Sequence, residues 1–225
     1  MDSTISFVCN GNTLRKSITM DIFVNLINKY IDSSHIRTIV DAGSMDGADA
    51  VFFKSNFPHT ATYAIEGLPE NYTKYLSILD NVVPINAVIS SYDGTIKYYQ
   101  KNINGIHGIY NRGNEYGTTQ LQLNCYKLST IMKNHSITEI DVIKIDVEGA
   151  TLDLLQSLED NLKNIKIMHI ETETYPFFSG QKLHDDVCNF LIDNNFVIVD
   201  ITFAEIIPDK YQSDSVWVNK QFIKQ

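Results

Sequence analysis

Hydrophobic residues recur along this chain with two different periods, and the two alternate. Between Met20 and Ile31 the apolar positions Ile22, Phe23, Leu26, Ile27, Tyr30 and Ile31 follow helical spacing, which predicts a helix with one buried face. The run from Ile36 to Asp41 is short, apolar and β-branched, and reads as a strand. A helix is expected over Gly47 to Phe57, stopped by Pro58. A strand over Thr60 to Glu66, a helix over Pro69 to Leu79 and a strand over Val82 to Ile89 follow. Farther on, Ile140 to Val147 and Ile165 to Thr172 read as strands, separated by a helix over Thr151 to Leu162 with Leu152, Leu155 and Leu162 on one side. Lys182 to Asn194 is expected to be a helix with Leu183, Val187, Phe190 and Leu191 as its apolar stripe. Strands alternating with helices imply right-handed crossovers and an α/β fold around a mainly parallel sheet.

Two stretches break this alternation. Residues 95–128 look strand-like at their edges (Ile96 to Tyr99, Leu121 to Leu123), but their centre, Lys101 to Thr119, is polar and rich in glycine. Near the C-terminus, Phe196 to Phe203 and Ser215 to Phe222 read as strands with no helix between them, and only an antiparallel hairpin joins strands so close together. The expected organisation is an N-terminal arm and helix over residues 1–35, then a single domain over 36–225 with an insert at about 95–128. The arm itself, Met1 to Thr19, is the sharpest boundary candidate.

Composition narrows the class. A chain of 225 residues with 44% hydrophobic content suits one domain with a full core. A net charge of −9 argues against nonspecific binding of nucleic acid through its phosphates. Cys9, Cys125 and Cys188 lie far apart, without metal-ligand or redox-motif spacing, which suits a reducing cytosol. The segment starting Met1-Asp2-Ser3-Thr4 lacks a basic region followed by an apolar stretch, and no apolar run is long enough to span a membrane. A soluble, cytoplasmic protein is therefore expected.

The first chemical signal is the turn after the strand at Ile36 to Asp41. Asp41-Ala42-Gly43-Ser44-Met45-Asp46-Gly47 reads D-x-G-x-x-x-G, not the G-x-G-x-x-G of dinucleotide binders. A pyrophosphate needs glycines close together so that the backbone can approach it; a ligand without phosphates does not. The spacing points away from NAD and toward S-adenosylmethionine. In an open parallel sheet the ligand lies beyond the carboxyl ends of the strands. Gly43 removes a side chain there, and Asp41 can hold the turn and attract the ligand's ammonium. Ser44, Asp46 and Gly47 complete the turn. Glu66-Gly67, about 20 residues farther on, puts a carboxylate where it can accept hydrogen bonds from both ribose hydroxyls, and Asn86-Ala87 can frame the adenine.

The second signal is Ile143-Lys144-Ile145-Asp146-Val147-Glu148-Gly149. A strand buried on both faces has no ordinary place for Lys144 and Asp146, which point to the same side. A salt bridge that satisfies Lys144 is the plain explanation. Asp146 falls where a ligand's reactive centre would lie, with Glu148 beside it. His169, Glu171 and Glu173 share one face of the next strand. If the two strands are neighbours, Asp146, Glu148 and Glu171 can converge. Clustered carboxylates either raise one another's pKa and furnish a general base or hold a hard cation such as Mg²⁺. The candidate bases are Asp146, Glu148, Glu171, His107 and His184. His107 lies in the glycine-rich insert with Tyr110 and Arg112, a plausible acceptor-binding lid, and His184 at a helix start reads as a surface histidine.

These segments resemble the FkbM-type S-adenosylmethionine-dependent methyltransferases. The resemblance is carried by Ile39 to Gly47, Ala64-Ile65-Glu66, Asn86-Ala87-Val88 and, most specifically, Ile140 to Ala150, whose K-I-D-V-E-G-A run precedes a leucine-rich helix. It covers the chain from about Ile36 onward. It departs from the family at Met45-Asp46, where an asparagine is more usual, and in the insert. The resemblance implies a class I Rossmann-like fold, a mainly parallel seven-stranded sheet ending in an antiparallel hairpin with helices on both faces. It also implies O-methylation of a sugar, glycan or small natural product, with Lys144, Asp146 and Glu148 in the signature. Two other readings stand beside it. One is an RNA ribose 2′-O-methyltransferase using Lys144, Asp146 and Glu171, which the acidic charge opposes. The other is a non-catalytic cofactor-binding subunit.

Overall fold

The computed structural model describes residues 17–103, 105–113 and 117–224. Most of the arm Met1 to Thr19, with Cys9, lies outside the described residues. Helix α1 (Met20–Tyr30) precedes β1 (Thr38–Ala42), α2 (Ala48–Asn56), β2 (Ala61–Glu66), α3 (Pro69–Lys74) and β3 (Val83–Asn86). The middle of the chain holds β4 (Val88–Ile89), β5 (Gly94–Lys101), β6 (Thr118–Tyr126) and α4 (Leu128–Asn134). Then come β7 (Val142–Ile145), α5 (Thr151–Ser157), β8 (Ile167–Glu173), α6 (His184–Asp193), β9 (Phe196–Ile207) and β10 (Lys210–Asn219).

Seven strands form one sheet in the order β3-β2-β1-β7-β8-β10-β9. All neighbours are parallel up to β8, and β10 runs antiparallel between β8 and β9. The strands β1 and β7 are buried on both faces, which is why their sequences are apolar apart from Thr38, Asp41 and Lys144. One face is covered by α1 and α2, whose Phe23, Ile27 and Phe53 pack with Ile39, Val142, Ile167 and Val216. The other is covered by α4, α5 and α6, through Ile131, Leu155 and Leu191 against Val40, Ile143 and Met168. Each large apolar side chain buried in these layers contributes roughly 1.5–3 kcal/mol. At the amino ends, the buried Asp141 carboxylate accepts the N–H groups of Arg37 and Thr38 and pairs with Lys166 at 2.6 Å, tying β1 to the start of β8.

The structure departs from the sequence expectations in several places. The segment Val82 to Ile89 is not one strand. It leaves the main sheet after Asn86, where β2 ends and offers no further partner, and Val88 pairs instead with Cys125 of β6. A second, three-stranded sheet, β4-β6-β5, results from the insert. The helix α4 has no counterpart among the expected elements, although Leu128, Ile131 and Met132 have helical spacing and are all buried. The helices expected over Pro69 to Leu79 and Thr151 to Leu162 each end early and continue as 3₁₀ turns, Leu76–Ile78 and Glu159–Asn164. The hairpin strands extend farther toward their turn than expected, to Ile207 and from Lys210, and turn at Asp209, whose φ is 61°, while the second strand ends at Asn219 instead of Phe222.

Candidate active site

The turn that follows β1 is held from below. The N–H groups of Gly43 and Ser44 both donate to the Ile65 carbonyl at 3.0 Å, and Gly47 N–H donates to Ser44 O at 2.7 Å. Gly43 adopts φ +84°, and a Cβ added there would overlap the carbonyl oxygen of Asp146. The glycine therefore lets the ends of β1 and β7 lie together, sealed by the Asp146 N–H bond to Ala42 O at 2.9 Å. Gly47 starts α2 at φ +80° and packs on Leu79. Asp46 is exposed and accepts the Ala48 N–H at 3.0 Å, a local cap at the start of α2.

Asp41 lies behind this turn, fully buried. One oxygen accepts the Ser44 hydroxyl at 2.5 Å, and the other faces the Lys144 ammonium at 3.9 Å without a hydrogen bond. Burial pushes the Asp41 carboxyl up to about 6, against the pull of Lys144 and Ser44. Lys144 also reaches Asp49 of α2 at 3.2 Å and Asp146 at 3.1 Å. Burial works to lower the Lys144 ammonium, but Asp146, Asp41 and Asp49 together overcome it and hold the group above the ordinary lysine value. The salt-bridge explanation of this lysine is thus realised, as a hub between β1, α2 and β7. Lys144 does not line the cavity described below, and neither do Asp41, Ser44, Asp46, Gly47 and Asn86.

A cavity of about 360 Å³ opens beyond the carboxyl ends of β1, β2, β7 and β8. Gly43, Glu66, Gly67 and Ala87 line one side; Asp146, Glu148 and Glu171 line another; Tyr98, His107, Gly108 and Arg112 of the insert lie across it. Glu66 is only 5% exposed. Its two oxygens accept the N–H groups of Met45 at 2.9 Å and Leu68 at 2.7 Å, and Asn86 supports the site by donating its amide to the Glu66 carbonyl at 2.8 Å. Burial raises the Glu66 carboxyl to about 7 despite these bonds. Each oxygen keeps a second lone-pair site for a ligand hydroxyl.

Across the cavity, one carboxylate oxygen from each of Asp146, Glu148 and Glu171 lies within 4.8 Å of the others. Glu148 sits at φ 48°, a conformation uncommon outside glycine, which is kept at the tip of β7 next to Gly149 at φ +83°. Burial, with Asp146 and the neighbouring glutamates, holds both Glu148 and Glu171 well above the usual carboxylate range. Glu173 is raised to about 7, mainly by burial, while accepting the Gln181 amide at 2.7 Å. Arg112 supplies the opposing charge at 3.7 Å from Glu148, its guanidinium 5.5 and 5.2 Å from the rings of Phe177 and Phe178. Tyr110 donates to Asp153 at 2.7 Å, and Ser179 N–H to Asn111 O at 3.0 Å, so this part of the insert is fastened over the acids.

The histidines divide by geometry. His107 Nδ1 accepts the Lys101 N–H at 3.0 Å. Its neutral ring therefore carries the proton on Nε2 and offers the cavity a donor, not a base. His184 is not on the surface: it is 5% exposed, between the Thr172 hydroxyl at 2.8 Å and Cys188 Sγ at 3.2 Å, because Leu183 and Val187 draw the start of α6 inward. Two lining residues, Asn71 and Gln212, had no signal of their own in the sequence. Asn71 is brought in by α3, and Gln212 by its register opposite Glu173.

A seven-stranded sheet of this order and direction, with its glycine turn at β1 and its acid at the end of β2, is the class I methyltransferase fold. A profile of the FkbM methyltransferase domain matches residues 41–198, and the chain belongs to that family, whose methyl donor is S-adenosylmethionine. Among solved structures it is similar to Aeropyrum pernix fibrillarin in complex with S-adenosyl-L-methionine (TM-score 0.51, 12% identity, 88% of this chain and 74% of that one). It is also similar to the methyltransferase FkbM from Methylobacillus flagellatus KT (TM-score 0.49, 12% identity), of which it spans 43% while 80% of this chain is covered. For M. capricolum TrmK in complex with S-adenosyl-homocysteine the values are a TM-score of 0.48 and 15% identity, over 89% of this chain and 69% of that one. No curated protein sequence matches the chain. No helix among the described residues is long and apolar enough to cross a membrane.

Proposed function

We propose that the chain methylates a hydroxyl of a sugar, glycan or small natural product in the cytoplasm. The observation that carries this reading is the convergence of Asp146, Glu148 and Glu171 in the same cavity that Gly43, Glu66 and Ala87 line from the other side. The fit to the donor is chemical. Gly43 leaves bare backbone, Ala87 a small apolar wall, and Glu66 a buried carboxylate with lone pairs to spare for ribose hydroxyls. The sulfonium of S-adenosylmethionine supplies an activated methyl group when bound. The protein's own work is then alignment and proton removal. Glu148 and Glu171 are held well above the ordinary range, and whichever is ionised when the donor's positive charge is bound beside it can take the acceptor's hydroxyl proton. Asp146 lies between the two halves of the cavity, where a carboxylate attracts the donor's positive charge. Asp41, Ser44, Asp46, Gly47 and Asn86 shape this site from behind, and Lys144 fixes Asp146.

Calorimetry with S-adenosyl-homocysteine tests the donor half. Glu66→Ala removes two ribose acceptors and is expected to weaken binding about 10- to 100-fold, at roughly 1.5–3 kcal/mol for bonds to a charged group. Unchanged affinity in that variant sinks the assignment. The acceptor half is tested by methyl transfer to candidate sugars. Glu148→Gln is expected to lower kcat by about 10²–10⁴-fold if the residue is the base. The three carboxylates are also an all-oxygen donor set suited to Mg²⁺. Activity that survives a chelator leaves the base reading standing, and activity lost to a chelator and restored by Mg²⁺ replaces it. The RNA ribose reading is disfavoured by Lys144, which is engaged by three carboxylates and does not itself line the cavity, and by the net charge of −9. Free thiols at Cys125 and Cys188 agree with a cytosolic location.

A further inference from the structure

A second cavity of about 220 Å³ lies beside the first, between α3 and the end of β5. Its walls are almost wholly polar, and it shares two residues with the main cavity, Asn71 and His107. Asn71 is 5% exposed overall, and its side-chain amide, which makes no hydrogen bond among the described residues, is open to the two cavities it lines. An amide on the wall of both cavities, with donor and acceptor uncommitted to the protein, is placed to take a ligand hydroxyl. His107, by the bond to its Nδ1, presents an Nε2–H donor at the same partition. Of the charges around the chamber, Lys101 is committed to the protein, and Glu70 and Lys74 are exposed and of opposite sign, so they balance. Lys101 directs its ammonium to Asn111 and Thr118, at 2.8 and 2.6 Å, and to the Gly113 carbonyl. Glu70 accepts the Gln100 amide at 2.8 Å, and Lys74 lies over the Tyr75 ring at 4.8 Å. What remains for a ligand is a set of amide and imidazole groups beside an aromatic ring.

We infer that this chamber is an acceptor subsite for an uncharged, hydroxyl-rich ring adjoining the one that is methylated, with Asn71 and His107 as its reading groups. The inference rests on the sugar-methylating reading above. The chamber is smaller than the 300–1,000 Å³ of drug-sized pockets, which suits a single ring. Amides and an imidazole N–H match hydroxyls, which both donate and accept. The preferred acceptor then has at least two rings, one over Asp146 and Glu148 and one beyond His107.

The experiment follows the His107 and Asn71 side-chain resonances by NMR in the protein loaded with S-adenosyl-homocysteine. The probes are glucose and galactose, the disaccharides lactose, maltose and cellobiose, and, as charged controls, glucuronate and inorganic phosphate. Saturable shifts with at least one neutral disaccharide, at about tenfold lower concentration than with its monosaccharide, are the expected result. Asn71→Leu, which keeps the volume and removes the amide, is expected to weaken that disaccharide about tenfold while leaving the melting temperature near that of the wild type. Shifts with the charged probes alone, equal response to one ring and two, no response to any sugar, or indifference to Asn71→Leu each overturn the inference. Failure of the wild type to bind S-adenosyl-homocysteine is a separate outcome, and it overturns the donor assignment on which the subsite rests. If Asn71→Leu fails to fold, Asn71→Asp replaces it, and unchanged disaccharide affinity there overturns the proposal in the same way.

Discussion

Replacing Gly43 by alanine is expected to lower the melting temperature by roughly 8–16 °C and to abolish measurable binding of S-adenosyl-homocysteine. Two costs add. The residue sits at φ +84°, where a side chain costs about 1–3 kcal/mol. The new Cβ also overlaps the Asp146 carbonyl, a backbone atom that cannot turn aside as a side chain could, and overpacking of this kind costs about 1–3 kcal/mol more. At roughly 2–4 °C per kcal/mol for a chain of this size, a total near 4 kcal/mol gives the stated range. The functional loss has the same origin. Parting β1 from β7 breaks the Asp146 to Ala42 bond and moves Asp146 away from Glu148 and Glu171. Thermal unfolding followed by circular dichroism, together with calorimetry, checks both halves. A variant that melts like the wild type and still binds the product shows that the two strand ends are not held together as described.

The second large effect is a stability that falls as pH rises. Asp41, Glu66 and Glu173 have folded pKa values of about 6, 7 and 7, above the 3.8 and 4.5 of the free side chains, chiefly through burial. In the window between these sets of values the folded protein holds protons that the unfolded chain has released. Its stability is therefore fully supported below the unfolded values and is lost as pH climbs through the folded ones. Between pH 5 and their folded pKa values the three groups together span about 5 pH units, so at 1.36 kcal/mol per unit the expected loss from pH 5 to pH 8 is on the order of 7 kcal/mol, or roughly 14–28 °C in melting temperature. Most proteins whose carboxylates are paired show the opposite trend in this range. Glu66→Gln, which carries no charge at either pH, is expected to flatten the curve. A melting temperature that rises from pH 5 to pH 8 refutes the burial argument. With Glu66 as the proposed acceptor of the ribose hydroxyls, donor binding has the reverse dependence: affinity for S-adenosyl-homocysteine is expected to increase as pH passes about 7 and Glu66 ionises.

These two results probe different parts of one design. The end of β1 is a steric arrangement with no charge to titrate, whereas the acids around it are an electrostatic load that the fold carries for the sake of its site. Lys144 and Arg112 offset part of that load, the first beneath Asp146 and the second above Glu148. Because the load is greatest with the site empty, a ligand that brings positive charge is expected to stabilise the protein most at high pH.

The alternation of the main-sheet strands with most of their helices, the glycine turn, the acid ending β2 and the signature around Asp146 could be read from the sequence. Each is governed by short-range chemistry: apolar period, a φ that only glycine adopts easily, and carboxylates interrupting a buried strand. The parts that could not be read depend on partners distant in the chain. Val88 leaves the sheet because β2 has ended, and it finds Cys125 instead. His184 looks like a surface residue in its own helix and is buried by Phe203 of the hairpin, ring against ring at 5.7 Å. His107 looks like a base until the Lys101 N–H claims its Nδ1. Asn71 has no pattern at all until α3 places it between two cavities. Local sequence determined which backbone shapes and charges this protein contains; only the tertiary structure decided which of them face one another, because burial and hydrogen-bond pairing are properties of contacts between segments far apart in the chain.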